Sequence, residues 1–307
     1  AYMPRIMIPN ALIHHFEDVK SEVSATPEEL KIMTYNIAYG GGLLNEEGRP
    51  ESREFIENNL DLMMSQIKNE NPDVLAVQEI DIYSNRSFGF DQMVLMAKEC
   101  SFSYAAVAIT WNKRWVPYPL TWNLKKQFGF VLAAQVVFSK YPITNQDVTT
   151  LIKPINKPFW YNWFYLDRVF QNVTIDVAGN QLKVANVHLE AFDKETRLSQ
   201  VRTLLDDKKI NSDNLDIIVG DFNSIHSEWS IKTSFEDEPD ISFDGDNSIA
   251  MILKESGLKD IFSSKRLSSN KESFFTFPSN NPTRQLDYMF INTSSLSVKD
   301  VRILKSK

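Results

Sequence analysis

Apolar positions along this chain recur in two rhythms. Leu30-Lys31-Ile32-Met33-Thr34-Tyr35-Asn36 is a short apolar-rich run of strand type. Across 54–69, Ile56, Leu60, Met63, Met64 and Ile67 return at helical spacing and predict an amphipathic helix. Asn71-Pro72-Asp73 ends it, because proline disfavours helix in the residue before it. Residues 74–77 then read as a buried strand and 91–99 as a second helix. Strand patterns follow at 103–109, 130–139, 145–151, 169–177 and 181–189, with a hairpin turn at Ala178-Gly179-Asn180. A helix over 195–207, a buried strand over 216–219, a helix near 247–256 and strands over 285–292 and 297–304 complete the pattern. Hairpins and βα units occur together. That predicts an α/β fold of two packed mixed sheets with helices outside, not a doubly wound sheet. Residues 1–29 lack periodicity and are expected to form an extension on a main domain over 30–307.

Composition narrows this picture. At 307 residues with 43% hydrophobic positions, the chain buries roughly 75% of its unfolded surface and needs no covalent staples. The single Cys100 excludes an intramolecular disulfide framework and a cysteine-rich zinc module. No apolar run reaches the ~18 residues of a spanning helix. The net charge of −7 argues against a broad basic surface for nucleic acid. A local patch with a metal ion still allows phosphate handling. The opening at Ala1-Tyr2-Met3-Pro4 fits a cytoplasmic chain or one exported after N-terminal processing, and leaves the compartment open. A monomer is expected.

Polar residues gather at the ends of the apolar strands. Asn36 ends the first and Glu79 the second. Two-residue alternation puts Leu182, Val184, Asn186 and His188 on one face. Asp221 and Asn223 follow the strand at 216–219, and Asp287 lies inside an apolar segment, where a carboxylate without a partner is costly. This set suits metal-assisted hydrolysis. Glu79 is a hard oxygen ligand for Mg²⁺. Asp221 is placed to orient or deprotonate a water. Asn223 and His188 are placed to hold phosphoryl oxygens. Arg86 and Asn186 are candidate substrate contacts. The sequence shows no thiol cluster, nucleophile elbow or Walker loop.

Thr34-Tyr35-Asn36, Val77-Gln78-Glu79, Val187-His188-Leu189, Gly220-Asp221-Phe222-Asn223 and Leu286-Asp287-Tyr288 stand in an order that resembles the endonuclease/exonuclease/phosphatase superfamily. Phe138-Ser139-Lys140-Tyr141-Pro142-Ile143 looks like its Ser-Arg-Tyr-Pro-Ile segment, and Arg197 and Gln200 also fit. The resemblance implies a four-layer α/β/β/α sandwich with the site at the mouth between two sheets. It implies cleavage of phosphoesters by water with Mg²⁺, or Mn²⁺, and no covalent intermediate. Asn36 and Glu79 resemble its metal-side residues. His188 resembles the histidine that contacts phosphate or the leaving group. Asp221 and Asn223 resemble the pair that positions water and stabilises the transition state. Asp287 resembles the aspartate that orients a second histidine, within a Ser-Asp-His that this sequence does not contain. The implied domain therefore lacks its last C-terminal strand.

The run from Gln78 through Arg86 to Gln92 looks more like the metal-dependent hydrolase and sphingomyelinase-like branches than the apurinic endonucleases. Two aromatic insertions, 111–126 and 158–165, suit a membrane interface, stacking on a ligand, or a satellite core. The leading expectation is a hydrolase of a lipid headgroup or small phosphoester. A nuclease on DNA or RNA and a non-catalytic phosphoester-binding protein are the alternatives.

Overall fold

The computed structural model describes residues 9–42, 48–50, 52–262 and 271–305. Among them, eleven strands form two sheets. The first has five strands in the order β1-β4-β5-β3-β2. These are β1 (Ala11–His15), β2 (Ile32–Asn36), β3 (Val74–Asp81), β4 (Tyr104–Val116) and β5 (Gly129–Ser139). The second has six in the order β10-β11-β9-β8-β7-β6. These are β6 (Ile143–Thr150), β7 (Val169–Val177), β8 (Asn180–His188), β9 (Ile217–Asp221), β10 (Lys259–Asp260) and β11 (Asp287–Ile291). Each sheet is antiparallel except for one parallel pair, β2 with β3 and β8 with β9.

Three apolar clusters explain the layering. Val74, Ala76 and Val137 of the first sheet meet Val173, Val184 and Val219 of the second between the sheets. Leu75, Val77 and Val136 point the other way, onto Ile56 and Leu60 of α1 (Arg53–Glu70) and Met93 and Met96 of α2 (Gln92–Glu99). Val187 and Ile218 pack on Val201 and Leu204 of α4 (Lys194–Asp206) and Ile249 of α5 (Ser248–Glu255). The result is the α/β/β/α sandwich of two mixed sheets. Ser52 starts α1 by accepting from Phe55 N, and Asn71 ends it in a left-handed conformation with φ 49°.

The structure departs from the sequence reading in four places. Residues 11–15, expected in an extension, are the edge strand β1, and Phe16 enters the core because β4 offers it a partner. Residues 297–304, expected as a strand, belong to neither sheet. Val301 and Ile303 rest instead on an aromatic cluster around Phe262 and Phe274. The insertion from Trp111 begins as ladder: β4 pairs with β5 out to Val116–Gly129, so it is the tip of a long hairpin. The second insertion contains a short helix, α3 (Phe159–Phe164).

Candidate active site

Strand ends from both sheets converge at one mouth of the sandwich. In the six-stranded sheet His188 stands opposite Asp221, and Asp221 opposite Asp287. Residues in register share a face, so the three side chains lie abreast on neighbouring strands. From the other sheet comes Asn36, which ends β2.

Glu79 reaches the site by breaking the strand rhythm. Leu75 and Val77 face the helices, and regular alternation would send residue 79 with them. The β3–β5 register shifts between Val77 and Ile80, and Glu79 adopts φ 54°. Such a left-handed, non-glycine bulge re-aims a side chain and is concentrated at functional sites. Asn36 then joins the two sheets. Its Nδ2 donates to Glu79 Oε1 at 3.1 Å and to Asp221 Oδ2 at 3.0 Å. His188 Nε2 lies 3.9 Å and 3.7 Å from the same two oxygens. Asp221 Oδ1 accepts from Asn223 N at 2.9 Å, and Asn223 Nδ2 donates to Leu189 O at 3.0 Å.

Burial sets the charges. Desolvation raises the Asp221 carboxyl to about 6, against the hydrogen bonds from Asn36 and Asn223 that favour its anion. Desolvation and then the neighbouring Asp221 raise Asp287 to about 8. Two adjacent carboxyls retain a proton between them to near-neutral pH. Desolvation, with Arg168 nearby, holds the His188 imidazole well below its ordinary value, so it is neutral. An acid-rich pocket that resists ionisation suits a hard cation. Among the described residues no three His, Cys, Asp or Glu side chains form a metal cage. Asn36 Oδ1 accepts from Ala38 N at 3.0 Å, so the hard oxygen donors turned to the mouth are the carboxylates of Glu79 and Asp221, with the Asn36 amide nitrogen between them. They fit a cation that takes few protein ligands and keeps several waters, as Mg²⁺ does.

Two candidates are spent on other partners. Asn186 is fully buried beneath the mouth. Its Oδ1 accepts from Gln78 Nε2 at 2.6 Å and its Nδ2 donates to Val77 O at 3.2 Å, so it ties the sheets together and is out of reach of substrate. Arg86 lines the cleft but spends its donors within the fold. Its Nε and Nη2 engage Asp81 at 3.0 and 2.8 Å, and its guanidinium lies 3.9 Å from the centre of the Tyr39 ring. This buried pair is expected to cost about 3 kcal/mol when broken from one side. Arg86→Met should thus lower the melting temperature by several degrees while leaving KM unchanged in the folded fraction. A raised KM at unchanged stability would return Arg86 to the substrate site.

Sequence reading missed Arg168. It precedes β7, and β7 runs antiparallel to β8, so a strand start lies beside His188. Its signal in the sequence is a charged residue opening a buried strand, whereas alternation points to the polar residues at strand ends. The cleft holding Glu79, His188 and Asp221 is also lined by Arg168 and by Trp111, Tyr118, Trp160, Phe164 and Phe192.

The same architecture occurs in solved structures. An endonuclease/exonuclease/phosphatase from Beutenbergia cavernae DSM 12333 matches with a TM-score of 0.59 and 20% identity over 86% of this chain. This chain spans 64% of that one, less than two thirds of its length. The human Nocturnin catalytic domain, solved with bound sulfate, matches at 0.53 and 18%, over 94% of this chain and 87% of its own. A mannosyl-6-phosphatase from Bacteroides thetaiotaomicron VPI-5482 matches at 0.51 and 13%, over 86% of each chain. At these identities the likeness is one of fold. No curated protein sequence matches the chain. Residues 33–306 match a family described as Endonuclease/Exonuclease/phosphatase, whose members are typically hydrolases of phosphoesters and commonly use divalent metals. With nearly the whole chain matched and its strand-end motifs gathered at one mouth, this chain belongs to the Endonuclease/Exonuclease/phosphatase family.

Proposed function

We propose that this chain is a divalent-metal-dependent phosphoester hydrolase acting on a phosphorylated headgroup at a lipid surface. The observation that carries the hydrolase reading is the Asn36 amide bridging Glu79 and Asp221, with neutral His188 beside both. Glu79 would hold Mg²⁺ or Mn²⁺, with the Asn36 side chain beside it as the second candidate ligand. When bound, the cation polarises a phosphoryl oxygen and neutralises developing charge. Asp221 orients the attacking water and takes its proton. His188, uncharged, donates a hydrogen bond to a phosphoryl or leaving-group oxygen without repelling the cation. Asp287 keeps its proton near neutral pH, so one anionic carboxylate faces the water instead of two. Asn223 fixes Asp221 through its backbone amide.

The lipid reading draws on the rim of the same cleft. Trp115, Tyr118 and Trp122 are exposed in segment 111–126 and Phe159, Trp160 and Trp163 in segment 158–165, and Tyr118, Leu120 and Trp160 of these segments line the cleft. Large exposed apolar side chains in one patch mark an interaction surface. Segment 111–126 carries four basic residues and no acidic one in a chain of net charge −7. Interleaved Trp, Tyr and Lys suit headgroup depth in a bilayer. No helix among the described residues is long and apolar enough to cross a membrane.

The test is hydrolysis by the full-length protein of bis-p-nitrophenyl phosphate, p-nitrophenyl phosphate and sphingomyelin–phosphatidylcholine vesicles, with Mg²⁺, Mn²⁺ or EDTA. Metal-dependent turnover, fastest on vesicles, is expected. Absence of turnover on all three with metal present sinks the hydrolase reading. Turnover of the soluble esters alone sinks the lipid reading.

A further inference from the structure

One pleat below the mouth, the space between the sheets carries amides where apolar side chains would pack. Gln78, Gln135, Gln171 and Asn186 are each at most 1% exposed, and they come from β3, β5, β7 and β8. Asn186 is the hub. Its Oδ1 accepts from Gln78 Nε2 at 2.6 Å, and its Nδ2 donates to Val77 O at 3.2 Å and to Gln171 Oε1 at 3.3 Å. Gln135 Nε2 donates to Asn186 O at 2.8 Å. Gln78 Nε2 also donates to Thr34 Oγ1 at 3.2 Å, and Gln171 Nε2 crosses to Ala106 O of the first sheet at 2.8 Å.

Stability alone does not account for this layer. A buried polar network with open valences is worse for stability than an apolar core. Among the described residues, Gln78 Oε1 and Gln135 Oε1 have no hydrogen-bond partner. What such a network supplies is register. Apolar contact is non-directional, whereas a hydrogen bond fixes distance and angle. The strands it fixes are those that carry the site. Thr34 lies two residues before Asn36 on β2, and Asn186 two before His188 on β8, so each site residue stands one pleat above a member of the layer. Gln78 adjoins Glu79. Pairing of β3 with β5 passes from Val77–Val136 to Ile80–Ala134, so Gln78 and Glu79 together oppose Gln135. Both glutamines of that bulge are fastened to Asn186, across the sheet interface.

We infer that Asn186, Gln78 and Gln135 are positioning residues that set Asn36 and Glu79 of the first sheet against His188 and Asp221 of the second. That the positioned groups hydrolyse a phosphoester rests on the hydrolase reading above.

An exchange of side-chain lengths in the full-length protein tests this. Gln78→Asn shortens the bridge by one methylene, Asn186→Gln lengthens it by one, and the double variant restores its span. Melting temperature, Mn²⁺ affinity by calorimetry, and kcat and KM on bis-p-nitrophenyl phosphate are measured for the folded fraction of each. Each single variant should weaken Mn²⁺ several-fold and lower kcat about tenfold or more at saturating Mn²⁺, since a misplacement of about 1 Å costs up to about a hundredfold. KM should change far less, and the double variant should recover most of both losses. Gln135→Met removes an anchor together with its unpartnered oxygen. It should melt no lower than wild type and still lose kcat several-fold. Wild-type kcat and Mn²⁺ affinity in folded Gln135→Met, or in single variants that lose only melting temperature, overturn the inference. So does a double variant no better than the singles. A wild type that binds Mn²⁺ but hydrolyses nothing overturns the hydrolase reading, and the Mn²⁺ affinities of the variants then decide the positioning alone. A wild type that does neither overturns both.

Discussion

Asp221→Asn is expected to lower kcat for phosphoester hydrolysis about a thousandfold while the protein stays folded. The side chain is 7% exposed and its two oxygens accept from Asn36 and Asn223; an amide keeps the shape and one acceptor and gives up the other bond, a loss of about 1 kcal/mol that the fold survives. What disappears is the anion. A positioned base contributes roughly 10²–10⁴ in rate, and an amide cannot take a proton from water. The stability of the metal-free protein supplies an independent check. Burial raises the Asp221 carboxyl to about 6, above its value of about 3.9 in the unfolded chain. The native state therefore holds a proton that the unfolded state has already released. Stability contributed by this group is present at low pH and is lost as pH climbs from about 4 through about 6. The two-unit interval corresponds to at most about 3 kcal/mol. Thermal melts in EDTA at pH 4.5 and 7.5 should show the wild type losing melting temperature toward neutrality, and Asp221→Asn losing less. Asp287, raised by the same burial, keeps part of the slope in the variant. Turnover above a tenth of wild type would remove Asp221 from the chemistry, and an identical pH slope in both proteins would contradict its burial penalty.

Much of this site was readable because it is built from regular strands. Alternation along 182–188 put Asn186 and His188 on one face, and the structure puts that face between the sheets. The parallel pairing of β8 with β9 then sets His188 beside Asp221. What escaped the sequence is what alternation does not encode. Nothing in Val77-Gln78-Glu79 announces a left-handed bulge, since the residue that adopts it is not glycine. Arg86 reads as a candidate substrate contact because nothing in the sequence pairs it with Asp81 at the end of β3 or shows that its aromatic box is closed by Trp111 and Phe128 from the distant hairpin. Asn186 looked like a substrate contact because it shares its face with His188, but it lies one pleat deeper and its polar atoms are spent on the sheets. Arg168 was passed over because antiparallel topology brings the start of a strand to a mouth otherwise made of strand ends. Residues 297–304 had the composition of a strand, and an aromatic cluster rather than a ladder holds their apolar side chains.

Gly220→Ala should be the most damaging single methyl group in the molecule. Gly220 precedes Asp221 in β9 and lies in register with Val187 of β8. Its φ of +137° is one that L side chains rarely adopt. A Cβ there would stand 1.9 Å from Val187 O, where a close carbon–oxygen contact is about 3.3 Å. The obstacle is backbone, so no rotamer change relieves it. Only separation of β8 from β9 does, and that pairing is what sets His188 beside Asp221. The cost is expected to be about 4 kcal/mol or more, in the range reserved for strained backbone and overpacked cores. Gly179→Ala provides the control. Gly179 also has positive φ, +91°, but nothing lies within 4 Å of its added Cβ. It should cost roughly 1 kcal/mol, the penalty of the left-handed conformation alone. Urea denaturation of the two variants beside the wild type separates the terms. Equal losses would mean that backbone conformation, not the contact with Val187, requires glycine at 220. A Gly220→Ala protein as stable as wild type would mean that β8 and β9 tolerate separation, and the alignment of His188 with Asp221 would then need another support.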